Sequence, residues 1–97
     1  MKIYIAGKIT GLSELEFKIK FAEAGMKLKS EGHTPLLPSI LPGGLEHEEY
    51  MHICYAMIDV CDAVYFLDNW KDSKGAKMEH DYAISRKMIR IYEEDNQ

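Results

Sequence analysis

Two kinds of hydrophobic pattern alternate along the chain. Ile3-Tyr4-Ile5-Ala6 and Ala63-Val64-Tyr65-Phe66-Leu67 are short, unbroken apolar runs rich in β-branched and aromatic residues. Such runs predict strands covered on both faces. His33 to Pro38 reads as a shorter second strand, placed at a sheet edge by its prolines, and Met88 to Tyr92 as a fourth. Between them the apolar spacing turns helical. Phe17, Phe21, Ala24 and Leu28 make one stripe. Its start is marked by Ser13 and Glu16 as a capping box and by Leu12 and Phe17 as a hydrophobic staple; Glu31-Gly32 supplies the stop. A second helix is predicted from about Glu46 to Asp59, with Tyr50, Ile53, Cys54, Met57 and Ile58 available for burial, and a third over about 74–87.

The resulting β-α-β-loop-α-β-α-β order requires right-handed crossovers and a parallel sheet with helices on both faces. It predicts one α/β domain over residues 1–97, flavodoxin-like or Rossmann-like, with strand order 2-1-3-4. The topological switch then falls between strands one and three. Ligands bind at the carboxyl edge there, where Gly7-Lys8-Ile9-Thr10-Gly11 and Asp68 to Gly75 emerge. Residues 38–46, with Pro38, Pro42, Gly43 and Gly44, read as a mobile loop and a natural lid.

A chain of 97 residues buries a modest core, so association into a homodimer or larger assembly is expected, with Trp70, Tyr50 and Met51 as surface-prone contacts. The net charge of −4 and the scattered lysines argue against a nucleic acid polymer as partner. No apolar run is long enough for a membrane span or a signal peptide, which predicts a cytoplasmic protein. Cys54 and Cys61 match no zinc or redox spacing, and His33, His47, His52 and His80 build no metal site. Neither a metal nor a cofactor is expected.

The candidate chemistry lies in the polar segment after the third strand. Ser73 and Gly75 offer a hydroxyl and an unhindered backbone at a helix start, suited to a small anion. Glu79 follows one turn later on the same side, expected as a partly exposed carboxylate. The glycines fit neither the dinucleotide nor the P-loop fingerprint. Trp70, the one tryptophan, reads either as a base-stacking or lid residue or as a packing contact across a subunit interface. Asp59, Asp62, Asp68 and Asp72 surround the third strand, with capping or turn roles expected. Lys71, Lys74 and Lys77 are able to attract an anion.

Taken in order, Lys2-Ile3-Tyr4-Ile5-Ala6-Gly7, Ile9-Thr10-Gly11, Cys61-Asp62-Ala63-Val64-Tyr65 and Trp70-x-x-Ser73-x-Gly75-Ala76-x-x-Glu79-x-x-x-Ala83 carry a resemblance. The chain resembles the nucleoside 2-deoxyribosyltransferase superfamily, in particular its small phage and bacterial branch of unassigned function. It is similar also to the 2′-deoxynucleoside 5′-phosphate N-hydrolases. The resemblance implies a small deoxynucleoside or deoxynucleotide substrate whose N-glycosidic bond is cleaved or transferred through an ester on Glu79. It implies further that Tyr4 orients that carboxylate and that Ser73, Gly75, Gly7 and Gly11 hold the sugar-phosphate, with Ile9, Trp70 and Asp72 completing the substrate set.

Two positions depart from the pattern. Relatives commonly carry an aspartate eight residues before the one that opens the third strand, where it assists departure of the base; counting back from Asp62 gives Cys54. Lys8 stands where many relatives have proline. His52, Asp59 and Asp72 are then the remaining proton-donor candidates. The alternative is a non-catalytic nucleotide-binding or assembly module that has lost its acid.

Overall fold

A computed structural model describes residues 1–96; Gln97, the end of the acidic tail, lies outside the described residues. Strand β1 (Lys2–Ala6) leads into helix α1 (Glu14–Ser30), β2 (Thr34–Leu36), α2 (His47–Asp59), β3 (Ala63–Phe66), α3 (Lys74–Ser85) and β4 (Ile89–Tyr92). The sheet runs β2-β1-β3-β4 with every neighbouring pair parallel. This is the predicted architecture and strand order.

Alternation along the two central strands divides the core. Ile3, Ile5, Ala63 and Tyr65 pack with Phe21, Ala24 and Leu28 of α1 on one face. Tyr4, Ala6, Val64 and Phe66 pack with Cys54 and Ile58 of α2 and Ala83 of α3 on the other. Period-two side-chain alternation in strands covered on both sides produces this division. It also sends Tyr4 toward the α2/α3 layer, which matters for the site.

The local signals act as the sequence implies. Ser13 Oγ accepts from the Glu16 amide at 3.1 Å and starts α1; Gly32, at φ +91°, supplies the left-handed turn after it. Glu49 accepts from the Glu46 amide at 2.9 Å at the start of α2. The differences are at boundaries. The second strand is shorter than expected because Pro38 opens a 3₁₀ helix, Pro38–Ile40, and α3 stops at Ser85, just before Lys87 adopts φ 55°.

Surface expectations need more correction. Met51 is buried, and Tyr50 and Trp70 are half-buried, so these three do not form an exposed apolar surface. No described helix is long and apolar enough to cross a membrane.

Candidate functional site

The carboxyl ends of β1 and β3 open into a cavity of about 580 Å³, within the usual size range for small-molecule sites. One wall is Gly7, Ile9, Thr10 and Phe17; the opposite wall is the start of α3, from Asp72 through Ala76. Residues of the 38–45 segment, together with His47 and Tyr50 at the start of α2, close the third side. That segment begins as the 3₁₀ helix, with Pro38 and Ser39 buried, rather than as free loop. The Lys8 amide donates to Asn69 Oδ1 at 3.0 Å, tying the loop after β1 to the loop after β3.

Glu79 lines the cavity and is only 4% exposed. The sequence expectation of a partly exposed carboxylate is therefore corrected. Helix α3 starts at the sheet edge and runs back along the face it shares with α2, which brings Glu79 in its second turn to Tyr4 of β1. There the Tyr4 hydroxyl donates to Glu79 Oε2. The Cys54 thiol of α2 is a further hydrogen-bonding partner of Glu79 and interacts with Tyr4 and Tyr50.

Burial dominates the electrostatics. It pushes the Glu79 carboxyl up to about 7, while the hydrogen bonds from Tyr4 and Cys54 act in the opposite direction. Burial, then the charge of Glu79, pushes the Cys54 thiol up to about 12. The same two causes hold the Tyr4 hydroxyl well above the usual tyrosine range. At neutral pH Tyr4 and Cys54 are thus protonated donors around a carboxyl whose titration burial has moved up to the neutral range.

Ser73 Oγ accepts from the Ala76 amide at 3.1 Å and is the N-cap of α3. Its proton remains able to turn toward the cavity. The amides of Lys74 and Gly75 belong to the first helical turn, which has no intrahelical acceptor for them, and both residues line the cavity. The helix start therefore presents donors and the positive end of its dipole to the space above Glu79.

Of the residues singled out from sequence, Glu79, Gly7, Ile9, Asp72, Ser73 and Gly75 line this cavity, and Tyr4 lies behind Glu79. Gly11 and Trp70 are not among its lining residues. Gly11 holds φ +91° in the turn before α1. Trp70 stacks on His80 with ring centroids 4.3 Å apart and packs beside Phe66 and Tyr92. His80 Nε2 lies 2.6 Å from the Tyr92 hydroxyl, so this histidine belongs to an aromatic cluster rather than to solvent. Gly7 has a packing reason as well: a Cβ there would stand 2.5 Å from Leu67 Cδ1.

Sequence reasoning missed Phe17 as a lining residue, having assigned it only to packing, and gave no site role to Tyr50 or His47; the 41–45 wall belongs to the segment expected as a lid. Of the substitute acids, Asp72 alone lines the cavity. Asp59 is engaged at the far end of α2, accepting from the Tyr82 hydroxyl at 2.6 Å and lying 3.3 Å from Arg86. His52 is exposed and is not a lining residue. Among the described residues no group of His, Cys, Asp and Glu is arranged to hold a metal ion.

A parallel 2-1-3-4 sheet with its cavity at the switch point defines a Rossmann-like α/β domain with a small-molecule-sized site. The chain belongs to the DUF4406 family, a domain of unknown function, whose model matches residues 1–92. No curated protein and no solved structure matches it.

Proposed function

We propose that this domain cleaves or transfers the N-glycosidic bond of a 2′-deoxynucleoside or its 5′-monophosphate through a covalent ester on Glu79. The observation that carries this reading is the buried Glu79 carboxylate, held by the Tyr4 hydroxyl and facing a cavity at the start of α3. A structural carboxylate would be costly to bury so deeply without a cation partner. A nucleophile gains from that burial, because a poorly solvated carboxylate attacks more readily. The resemblance of the Ser73-Gly75-Glu79 spacing to the nucleoside 2-deoxyribosyltransferase superfamily supports the same substrate class.

In this scheme the ionised Glu79 oxygen forms a bond to the anomeric carbon as the bond from that carbon to the base nitrogen breaks. The base leaves with the electron pair and takes up a proton. Water or a second base then attacks the same carbon, and Glu79 departs as the carboxylate. Tyr4 holds the attacking oxygen in line, and the α3 amides with Ser73 bind the anionic end of the substrate. Of the proton-donor candidates His52, Asp59 and Asp72, Asp72 is the one that lines the cavity.

Cys54 favours a second reading. A thiol pushed up to about 12 does not deliver a proton at neutral pH, and it occupies the position where relatives carry the acid. The second reading is a nucleotide-binding module without turnover.

Incubating the protein with the four deoxynucleosides and their monophosphates, with and without a free acceptor base, separates the two. Free base or an exchanged nucleoside, lost in Glu79→Ala, supports the enzyme. Binding by calorimetry without product supports the module, and neither binding nor product rejects both.

A further inference from the structure

Helix α1 carries two apolar stripes, and the core uses only one. Phe21, Ala24 and Leu28, with Phe17 partly buried beside them, face the sheet. Leu15, Ile19, Ala22 and Met26 repeat the same four-three-four spacing two positions earlier, which places them about 160° around the helix. They face solvent: Leu15 is 71%, Ile19 48% and Met26 72% exposed, and Ala22 is exposed as well. An outward row of this kind on a helix whose inner row already supplies the core is not required by the monomer's packing.

The steps alternate between four and three residues, so each position recurs after seven, the repeat of a two-helix seam. Leu15 and Ala22 fall at one seam position of the heptad, Ile19 and Met26 at the other. The flanking charges then select an occupant. Lys18 borders the seam on one side and Glu23 on the other. In a parallel pair of copies of this helix, Lys18 of each chain meets Glu23 of the other, and the two-fold symmetry makes the contact twice. An antiparallel pair would instead bring Glu16 toward Glu23. Lys18 already pairs with Glu14 along its own helix, but both groups are exposed, so this contact exchanges at little cost.

We propose that the outer face of α1 docks a second copy of this chain, α1 against α1 in parallel about a two-fold axis. The helix is 17 residues long, about 26 Å. A seam of that length buries roughly 1,000 Å², the lower bound of specific interfaces. The dimer is accordingly a reversible one, forming at tens of micromolar rather than obligately. The proposal does not depend on the function assigned to the Glu79 site.

Sedimentation velocity of the full chain across roughly 5–200 µM tests it. The expected result is a monomer–dimer equilibrium that Ile19→Glu weakens about tenfold or more, because the seam would bury an unpaired charge. Lys18→Glu and Glu23→Lys should each weaken association, and the double reversal Lys18→Glu/Glu23→Lys should restore it. Circular dichroism confirms that these surface variants remain folded. A monomer over the whole range overturns the proposal. So does a dimer indifferent to Ile19→Glu, or one that the double reversal fails to restore.

Discussion

The Tyr4 hydroxyl donates to Glu79 Oε2 from the middle of a central strand, joining residues 75 positions apart. Register makes this contact. Tyr4 pairs with Val64 in the parallel ladder and so faces the α2/α3 layer, where α3 lowers its second turn onto the sheet. A neutral donor and a buried carboxylate give a group that is chemically poised, at a cost to the fold.

That cost has a sign and a pH window. The folded state raises the Glu79 carboxyl from its ordinary 4.5 to about 7, so folding favours the protonated form. The corresponding stability is fully present below pH 4.5 and is lost as pH rises through 7. A shift of this size corresponds to roughly 3 kcal/mol, and burial leaves little solvent screening to discount it. Urea unfolding at pH 5 and pH 8 measures it. The wild-type protein should lose more stability across that interval than Glu79→Gln, which carries no titrating group there. Equal losses in the two proteins would contradict the burial cost.

If the protein turns over deoxynucleosides, kcat/KM should rise with pH along a limb near 7, because only ionised Glu79 attacks. Glu79→Ala and Glu79→Gln should remove turnover. Tyr4→Phe should cost on the order of a hundredfold or less. It should also move the limb to higher pH, since the Tyr4 hydrogen bond helps hold the carboxyl down. A limb unmoved by Tyr4→Phe would mean that this bond does not tune Glu79.

Two glycines of the cavity wall should respond differently to alanine. At Gly7 the new Cβ would meet Leu67 at 2.5 Å, an overpacking expected to cost about 1–3 kcal/mol. At Gly75 the nearest atom is Met51 Sδ at 3.5 Å, so the fold accepts the methyl. Thermal unfolding should therefore separate Gly7→Ala from Gly75→Ala by several degrees. Calorimetry should show that Gly75→Ala weakens monophosphate binding while remaining as stable as wild type.

Trp70→Ala distinguishes a packing role from base stacking. Its ring lies on His80 and beside Phe66, so truncation should cost about 2 kcal/mol of stability. Ligand affinity at the Glu79 cavity should change less than twofold. A tenfold loss of affinity in a stable Trp70→Ala protein would return the indole to the site.

Replacing Cys54 by Asp places a second carboxyl beside Glu79. Two acids so close titrate as a pair, one raised further, and the buried charge should lower stability by a few kcal/mol. If the missing acid is what limits the reaction, turnover by Cys54→Asp should exceed that of the natural protein despite this loss. Unchanged or lower turnover, measured below its unfolding temperature, argues against that limitation.

Much of this protein is written in local pattern. Buried runs at Ile3–Ala6 and Ala63–Leu67, the Ser13-Glu16 start of α1 and the order of strands and helices are sufficient for a parallel 2-1-3-4 sheet. The reason is that right-handed crossovers leave few alternatives. The loops after β1 and β3 converge for the same reason, so Gly7, Ile9, Ser73, Gly75 and Glu79 were legible as neighbours. Burial was not. A single Glu on a helix of mixed composition reads as solvated, and only the packing of α2 and α3 over β1 encloses Glu79 with Tyr4 and Cys54. The same holds for Trp70: its loop position left base stacking and a subunit contact both open, whereas the stack on His80 and the contact with Phe66 depend on how β3, α3 and β4 meet. Sequence spacing records which side of an element a residue occupies; what stands opposite that side is decided by the packing of distant segments.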